Sequence, residues 1–322
     1  MTILGIDIGG TELKSGRVDE SGRLLSSRSI KTPADLEALE TALHYIVASG
    51  EPPAGIGIAC KGVIDRQSTR VKTLPGTLHY LEGHCLADLV RPALQDDVPV
   101  CADNDARVAM VGEIVWGAAR GCSNAVMLTL GTGVGGAVLA GGQLLIGHGG
   151  VAGHLGHVTV DPDGAPCICG SRGCLETVFS ARAIEAEAFG AVRRGCASLL
   201  TDWYAARPHE ITCLAVFEAA SGGDELARFI VDRAVRALGA AVAGLLLVFD
   251  PEVLILGGQV AGAGAALFSP LRDEVRWRTR VMLGREVPIV PQQVAENSGV
   301  AGAAALVLRA REQRSAGADG AS

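Results

Sequence analysis

The hydrophobic pattern of the chain alternates between two kinds of segment. Short runs rich in β-branched residues and leucine end in glycine or polar turns, which is typical of buried strands. Longer segments repeat apolar residues at helical spacing, and the first of them follows Asp35, a residue type that often caps a helix. The predicted strands are residues 2–8, 12–18, 23–29, 55–64, 98–102, 124–130, 135–139, 143–146 and 253–256. The predicted helices are residues 35–47, 85–94, 106–119, 181–194, 224–247 and 298–310.

The pattern that begins near residue 124 weakly repeats the one at the N-terminus. In both places an apolar strand ends in a Gly/Thr turn and further short strands follow. A duplicated unit of strands followed by helices predicts an α/β protein with two similar lobes around a cleft. We place the boundary near Gly117, so that residues 1–117 and about 303–322 form a smaller N-terminal lobe. Residues 118–302 then form a larger lobe that carries a cysteine-rich loop.

Composition narrows the class of protein. The chain has 322 residues, of which 48% are hydrophobic, enough to bury two cores of ordinary domain size. Its net charge of -7 argues against nonspecific nucleic-acid binding, which needs basic patches. No signal-peptide pattern precedes Asp7, and the longest apolar run, residues 238–249, is too short to span a bilayer. We therefore expect a cytoplasmic protein without a nucleic-acid or membrane partner.

Two of the predicted strands end in turns that suit phosphate binding. Residues 7–11 read Asp-Ile-Gly-Gly-Thr, and residues 130–136 read Leu-Gly-Thr-Gly-Val-Gly-Gly. Glycine lets backbone N–H groups approach an anion, and the threonine hydroxyls add donors. The candidate phosphate-binding residues are Gly9, Gly10, Thr11, Gly131, Thr132 and Gly133. Each turn taken alone is equally consistent with an ordinary hairpin.

Two further features suit a nucleotide. Asp7 stands at a strand end, and its carboxylate suits Mg²⁺, bound directly or through water. A late strand ends in Gly257-Gly258, which suits packing against an adenine ring. Each feature is weak by itself, because acidic strand ends and Gly-Gly pairs are common.

Three of the nine cysteines fall within eight residues. Cys167, Cys169 and Cys174 offer three sulfur ligands, and His157 lies ten residues before the first of them. Together they complete a closed tetrahedral zinc site, in which Zn–S distances are about 2.3 Å. With no open coordination position the metal would be structural, tying the loop to a strand after His157. A cysteine-rich loop without metal is the alternative.

Polar residues that could act on a hydroxyl group occur at two places. Asp103-Asn104-Asp105 ends a predicted strand and leads into a helix. A carboxylate there can take the proton of a hydroxyl that attacks phosphorus, although capping the helix is the ordinary role for these residue types. Near the cysteine loop stand His154, His157 and Glu176, for which surface or capping roles are the alternative.

In this order and together, the motifs resemble the ROK family (repressor, open reading frame, kinase) from residue 2 to about residue 310. The most specific element is the cysteine loop ending in Gly173-Cys174-Leu175-Glu176. The resemblance implies an actin-like ATPase fold with ribonuclease-H-like lobes and a homodimer or homotetramer. It also implies ATP-dependent phosphorylation of a hexose, typically at the 6-hydroxyl, as in the family's glucokinases.

The resemblance also implies roles for single residues. Asp105 would be the general base, and His157, Cys167, Cys169 and Cys174 would hold structural zinc. The implied sugar ligands are Gly62, Asn104, Asp105, His154, His157 and Glu176. The implied ATP and Mg²⁺ residues are Asp7, Gly9, Gly10, Thr11, Gly131, Thr132 and Gly133, with Gly257 and Gly258 beside the adenosine.

Three positions depart from the family pattern. Glu12 stands where lysine is usual, and Lys61 replaces the proline of a Pro-Gly pair on the sugar side. His154 stands where glucose-phosphorylating members usually carry a glutamate, whereas bacterial N-acetylmannosamine kinases of the family have histidine. The exact hexose therefore stays open, as does the choice between ATP and polyphosphate as the donor.

Two other functions compete with the kinase. A sugar-responsive repressor of the family would carry a helix-turn-helix domain before the first glycine turn, and here that turn already begins at residue 7. An inactive sugar-binding protein is disfavoured by the presence of Asp105 and of both glycine turns. The sequence therefore favours the kinase.

Overall fold

The computed structural model describes residues 1–95, 98–206, 211–294 and 297–319. These residues divide into two compact units. The first unit comprises Met1–Gly121, Ile146–Ala152 and the described residues from Gln292 onward. The second unit comprises Cys122–Leu145 and Gly153–Pro291.

Both units combine strands and helices. The strands are β1 (Thr2–Ile8), β2 (Glu12–Asp19), β3 (Leu24–Lys31), β4 (Ile56–Cys60), β5 (Val63–Ile64), β6 (Val71–Thr73), β7 (Val100–Asn104), β8 (Ala125–Leu130), β9 (Val134–Ala140), β10 (Gln143–Leu144), β11 (Val253–Gly257) and β12 (Ile289–Pro291). The helices are α1 (Leu36–Ala48), α2 (Leu86–Val90), α3 (Asp105–Trp116), α4 (Glu176–Phe179), α5 (Ala181–Arg193), α6 (Leu199–Ala206), α7 (Cys213–Ser221), α8 (Glu225–Phe249), α9 (Ala265–Thr279) and α10 (Ser298–Asp319). Short 3₁₀ segments lie at His79–Leu81, Arg91–Ala93, Leu155–His157 and Gln259–Ala263.

Each unit contains a five-stranded sheet, and the two sheets have the same strand order. The first sheet runs β3-β2-β1-β4-β7, and the second runs β10-β9-β8-β11-β12. In each sheet the strand that begins the unit pairs antiparallel with its hairpin partner and parallel with the strand on its other side. The internal repeat predicted from the sequence pattern is therefore confirmed.

Alternate residues of β1 face two different helical layers, as the period of two in a strand requires. Ile6 and Ile8 join a buried apolar cluster with Leu39 and Leu43 of α1. Ile3, on the opposite face, joins a second cluster that includes residues of α10. The first sheet is thus covered on both sides.

Glycines let α10 lie directly against the first sheet. Gly5 of β1 and Gly57 of β4 are partners in register. A Cβ at Gly5 would lie 2.1 Å from the carbonyl oxygen of Val300, and one at Gly57 would lie 1.7 Å from that of Ala303. Such distances leave no room for a side chain, so backbone contact determines the position of the helix against β1 and β4.

Side chains rather than backbone fill the core of the second unit. Leu128 of β8 and Leu256 of β11 pack in one cluster with Leu238 and Val242 of α8. The apolar run 238–249 is therefore largely buried, and it lies in α8, the helix predicted over residues 224–247. Among the described residues, none of the helices has the length and apolar character to cross a membrane.

The structure departs from the predicted elements at a few places. The predicted strand 55–64 is interrupted at Gly62, whose φ of 90° is outside the range of a strand, so that β4 and β5 are separate. Elements that the prediction missed are β6, α4, α6, α7, α9 and β12. The interior Pro270 of α9 explains one miss, because proline inside a segment argues against a helix.

Candidate functional site

Three neighbouring strands of the first sheet end side by side. Ile8 of β1, Cys60 of β4 and Asn104 of β7 are partners in register. Because β4 runs parallel to both neighbours, the residues that follow these strands meet at one edge of the sheet. The structure therefore brings the first glycine turn, Gly62 and Asp105 to the same edge of the first unit.

Asn104 and Asp105 divide two roles that the sequence left open. Asn104 is the N-cap of α3: its Oδ1 accepts from the N–H groups of Ala106 at 3.0 Å and Arg107 at 3.3 Å. Its Nδ2 donates to the carbonyl oxygen of Gly62 at 3.0 Å. Asp105, the first residue of α3, is exposed. The capping role thus belongs to Asn104, whereas Asp105 begins the helix as an exposed residue.

A buried ion pair that the sequence analysis missed supports the start of α3. Arg107 is 1% exposed, and its Nε lies 2.7 Å from Oδ1 of the fully buried Asp103. Its Nη1 donates to the carbonyl oxygen of Gly150 at 2.9 Å, which attaches the segment 146–152 to the helix. Arg66 approaches the second carboxylate oxygen of Asp103 at 3.1 Å, without hydrogen-bond geometry. The spacing of four between Asp103 and Arg107 was a detectable signal for this pair.

Asp7 is a second carboxylate at the same edge of the sheet. It lies under the first turn of α10, where a Cβ at Gly299 would be only 2.2 Å from its Oδ2. Burial, together with the nearby charge of Asp105 and against the opposing charge of Lys14, raises the pKa of Asp7 to about 6. A carboxylate that is partly desolvated beside another carboxylate favours a bound cation, which fits the donor chemistry that Mg²⁺ prefers.

The first glycine turn is a tight hairpin whose tip is open to solvent. Gly9 donates its N–H to the carbonyl oxygen of Glu12 at 3.0 Å and so closes the turn between β1 and β2. Gly10 and Thr11 are exposed. A Cβ at Gly10 would lie 2.6 Å from Oγ1 of Thr77, so a larger residue there would displace that hydroxyl. The hairpin and the phosphate-binding interpretations of this turn are therefore compatible.

The second glycine turn is the corresponding hairpin turn of the second unit, and it is one residue shorter. Gly131 donates its N–H to the carbonyl oxygen of Gly133 at 2.9 Å, and Thr132 at the tip is exposed. Gly258 has a φ of 83°, and a Cβ there would lie 2.4 Å from the carbonyl oxygen of Leu130. The structure therefore places the late Gly-Gly pair directly beside this turn.

Two further residues meet the strand that follows the second turn. Gly156, which precedes His157, packs so closely that a Cβ would lie 1.9 Å from the carbonyl oxygen of Val134. Oε2 of Glu176 accepts from the N–H of Val134 at 2.9 Å, and a Cβ at Gly133 would lie 2.3 Å from the same oxygen. Glu176 thus has a backbone partner that the sequence did not indicate.

The cysteine loop assembles the predicted ligand set. Sγ of Cys167 lies 3.4 Å from Nδ1 of His157, and the sulfur atoms of Cys169 and Cys174 are 3.6 Å apart. The four ligand atoms lie within 4.8 Å of one another. Ligand atoms around a tetrahedral zinc with Zn–S bonds of about 2.3 Å are separated by about 3.4–3.8 Å, so the residues present fit this metal. Burial and the neighbouring Cys169 and Cys167 together raise the pKa of Cys174 to about 12, so zinc binding would release a proton from that thiol.

The strand expected after His157 is not found. In its place Thr159 forms a single bridge with Cys174. A Cβ at Gly173 would lie 1.4 Å from the carbonyl oxygen of Asp161, so the loop returns against this segment by backbone contact. Backbone hydrogen bonds join Leu175 to Val158 and Val160 to Gly173 around this bridge. The expectation of a strand was wrong because the pairing does not extend beyond that single bridge.

His154 lies beside the ligand set without belonging to it. Its ring is stacked on that of His157, with centroids 6.4 Å apart and planes at 16°. The four residues of the ligand set do not include it. His154 therefore stands next to the loop, outside the ligand set.

A cavity of about 740 Å³ lies elsewhere in the second unit. It is lined by residues near the ends of α8 and α9 and by residues that lead into β12. Since β12 runs parallel to β11, the cavity lies at the opposite end of the sheet from Gly257-Gly258. None of the predicted site residues lines it. The predicted site residues thus lie away from this cavity.

Known proteins resemble this chain over nearly its whole length. The chain matches the ROK family over residues 3–310. It is 36% identical to a glucokinase from Thermotoga maritima, over 95% of this chain and 97% of that one. It is 35% identical to an N-acetylmannosamine kinase from Escherichia fergusonii, over 81% of this chain and 84% of that one.

A solved structure supports the same relationship. The crystal structure of a ROK family glucokinase from Streptomyces griseus in complex with glucose and AMPPNP has a TM-score of 0.81 and 33% identity. The match covers 95% of this chain and 99% of that one. The predicted actin-like ATPase fold is confirmed by this likeness and by the shared strand order of the two sheets. On the strength of the match in sequence and in structure, the chain belongs to the ROK family.

Proposed function

We propose that this chain transfers the γ-phosphoryl group of ATP to a hexose, at the 6-hydroxyl, with Asp105 as the general base. The observation that carries the proposal is the exposed Asp105 at the same sheet edge as the first glycine turn. A base and an anion-binding turn on one rigid edge are what phosphoryl transfer to an alcohol needs. The glucokinases among the relatives support the choice of a hexose.

Asp105 takes the proton of the hydroxyl as the hydroxyl oxygen attacks phosphorus. Capping by Asn104, itself attached to Gly62, holds the start of α3 and therefore the carboxylate in place. The buried pair of Asp103 and Arg107 holds the same turn from beneath. We propose that Gly62 and Asn104 also contact the sugar.

The phosphates are bound by backbone N–H groups and hydroxyls of the two glycine turns. The residues that we assign to this role are Gly9, Gly10, Thr11, Gly131, Thr132 and Gly133. Gly257 and Gly258 are assigned to the adenosine. Mg²⁺ would neutralise charge on the phosphates, and Asp7 is the residue that would hold it.

The second unit is proposed to bind sugar hydroxyls through His154, His157 and Glu176. The N–H of Val134 holds Glu176 through Oε2, which orients the carboxylate for a ligand at Oε1. His157 together with Cys167, Cys169 and Cys174 would hold structural Zn²⁺. That ion would keep the loop that leads into Glu176 in one conformation.

ADP release with a panel of sugars tests the proposal. We expect sugar-dependent release with glucose and mannose and with N-acetylated hexosamines, and a product phosphorylated at carbon 6 by nuclear magnetic resonance. If no sugar of the panel raises ADP release above the rate without sugar, the proposed function is wrong. Polyphosphate in place of ATP tests the donor in the same assay.

N-acetylmannosamine is the second candidate substrate, and His154 is the observation that favours it. A neutral histidine offers one donor and one acceptor, whereas a glutamate accepts hydrogen bonds from two neighbouring hydroxyls and adds charge. The similarity to an N-acetylmannosamine kinase points the same way. We therefore propose activity on both kinds of sugar.

His154→Glu tests the role of this position. We expect kcat/KM for glucose relative to N-acetylmannosamine to rise by about tenfold or more, because a charge-assisted hydrogen bond contributes roughly 1.5–3 kcal/mol. His84→Glu, at an exposed histidine of the first unit, is the control and should leave the ratio unchanged. An unchanged ratio in His154→Glu would show that His154 does not select the sugar.

The assembly and the compartment stay predictions. We propose a homodimer or homotetramer, as the resemblance implies, and light scattering after size-exclusion chromatography measures it. The cytoplasmic location rests on the sequence pattern alone.

A further inference from the structure

Lys61 lies at the sheet edge that carries both the first glycine turn and Asp105. It directly follows Cys60, the residue of β4 that is in register between Ile8 and Asn104. The turn Gly9-Gly10 follows one of these neighbours, and Asp105 follows the other. Lys61 therefore stands between the residues proposed to hold phosphate and the residue proposed to take the proton.

The ammonium group of Lys61 is held next to the glycine turn. Its Nζ donates to Oγ1 of Thr77 at 2.7 Å and to the carbonyl oxygen of Pro75 at 3.3 Å. The same Oγ1 of Thr77 lies 2.6 Å from the position that a Cβ of Gly10 would occupy. The lysine and the turn thus share one hydroxyl as a neighbour.

The backbone that carries Lys61 is rigidly placed. Gly62 has a φ of 90°, and a Cβ there would lie 2.4 Å from the carbonyl oxygen of Thr73. Its carbonyl oxygen accepts from Nδ2 of Asn104 at 3.0 Å. The position of the lysine is therefore linked to the same residue that caps the helix of Asp105.

The two carboxylates at this edge, Asp7 and Asp105, would repel an incoming phosphate unless a cation stood beside them. Burial raises the pKa of the Cys60 thiol; the carboxylates of Asp105 and Asp7 raise it further, and Lys61 lowers it. Both carboxylates and the ammonium are therefore close enough to Cys60 to act on its thiol. A transferring phosphoryl group would add negative charge there, and lysine is a point-charge ligand for phosphate.

We propose that Lys61 is a further catalytic residue of this chain, whose ammonium contacts the transferring phosphoryl group between the glycine turn and Asp105. This inference rests on the proposed kinase function. The hydroxyl oxygen of the sugar bonds to the γ-phosphorus, and the bond from that phosphorus to the bridging oxygen of ADP breaks. ADP leaves with the electron pair, and the hydroxyl proton goes to Asp105. Lys61 neutralises the equatorial phosphoryl oxygens during the transfer and gives up no proton.

The test removes the positive charge of Lys61 and compares the binding of the substrates with the binding of a transition-state mimic. Lys61→Met should lower kcat by about 100- to 1,000-fold, in the range seen when one positioned donor is removed. By calorimetry, the dissociation constants for sugar alone and for ADP alone should stay within about twofold of the wild type. Affinity for ADP with aluminium fluoride and sugar, which mimics the transition state, should fall by the same factor as kcat. Lys61→Arg should retain part of the rate.

Two further variants separate charge from structure. Lys72→Met removes a lysine of β6 that pairs with Asp65 in the same unit, and its kcat should stay within about twofold of the wild type. Thr77→Val removes the hydroxyl that Lys61 contacts but keeps the ammonium, so it should lose less rate than Lys61→Met. Equal losses in Thr77→Val and Lys61→Met would mean that the lysine only braces the loop, and the inference would be wrong.

The result also distinguishes this inference from the proposed function. Wild-type protein that releases ADP with a sugar, together with Lys61→Met of unchanged kcat, overturns only the role of Lys61. Parallel losses of sugar affinity and kcat overturn it too, because Lys61 would then be a sugar ligand. Wild-type protein that is inactive with the whole panel overturns the proposed function and this inference with it.

Discussion

The two sheets share one strand order but differ in what packs against them: helix backbone in the first sheet and side chains in the second. Four residues before the glycine turn, the first sheet has the paired Gly5 and Gly57, and the second sheet has the paired Met127 and Ile255. The glycines admit the backbone of α10 directly onto the first sheet, whereas the two side chains of the second sheet are fully buried. The same topology is therefore compatible with two different interfaces.

The difference shows how each unit positions its polar residues. In the first unit, backbone contact with α10 places Asp7 under the helix, and capping places Asp105 at the start of α3. In the second unit, a glycine-rich turn and a loop with a metal-ligand set place Glu176. We therefore expect the stability of the first unit to fall when a side chain is added at a glycine under α10. The stability of the second unit should fall when a residue of the metal-ligand set is removed.

The largest effect expected is on catalysis in the first unit. Asp105→Asn keeps the shape of the side chain but removes the base, so kcat should fall by ~10² to 10⁴ with sugar affinity largely retained. Asp88→Asn, at an exposed aspartate in the first turn of α2, is the matched control and should be close to wild type. Steady-state kinetics measure both. If Asp105→Asn retained more than about a tenth of kcat, another group would have to be the base.

The next effect tests the backbone contact of α10. Gly57→Ala places a methyl group where the carbonyl oxygen of Ala303 lies 1.7 Å away, so strand or helix must shift. We expect a loss of about 3 kcal/mol in the free energy of unfolding, at the upper end of overpacking effects. Urea denaturation measures this.

Gly244→Ala is the control for that substitution. Gly244 lies inside α8, and a Cβ there meets no atom within 4 Å. Alanine should stabilise the helix by roughly 0.5–1 kcal/mol, because glycine loses more conformational freedom on folding. The same Gly→Ala substitution would thus lower the free energy of unfolding in the first unit and raise it in the second. Equal effects would show that the close packing of α10 is unimportant.

A smaller effect is expected from the cysteine loop. Purified protein should contain about one zinc per chain, and Cys169→Ser should lose it. Melting should fall by about 4–8 °C, which corresponds to roughly 2 kcal/mol for a unit of this size, and sugar affinity should fall because the loop leads into Glu176. Cys196→Ser, at an exposed cysteine outside the loop, should keep both the metal and the melting temperature. Active, freshly purified protein without zinc would exclude the site.

The smallest effect concerns the partly desolvated carboxylate of Asp7 in the first unit. The pKa of Asp7 is raised from 3.8 to about 6, so folding disfavours its charged form. Asp7→Asn should therefore stabilise the protein by about 1–2 kcal/mol while lowering activity with Mg²⁺ and ATP. The gain should be full above pH 6 and vanish below about pH 4, where Asp7 is neutral in both states. Thermal melting across this pH range measures it, and a gain that did not depend on pH would rule out the charge as its cause.

Local patterns in the sequence were sufficient for much of this protein. Strand periodicity and terminal glycines predicted both sheets' first strands and the repeat, because each signal lies within about ten residues. Asp35 was predicted as an N-cap, and its side chain does accept from the N–H of Ala38. The spacing of Cys167, Cys169 and Cys174 likewise predicted a ligand set without any tertiary information.

Other features were decided only by the tertiary structure, because they join residues far apart in the chain. Glu176 meets Val134 across 42 positions, and Arg107 meets Gly150 across 43. Whether Asn104 or Asp105 caps α3 depended on the carbonyl of Gly62, which is also 42 positions away from Asn104. The need for glycine at position 57 came from the approach of α10, whose period of apolar residues gives no information about its distance from the sheet. Sequence periodicity specifies which face of an element is buried, whereas the closeness of approach and the choice of polar partners depend on chain folding in three dimensions.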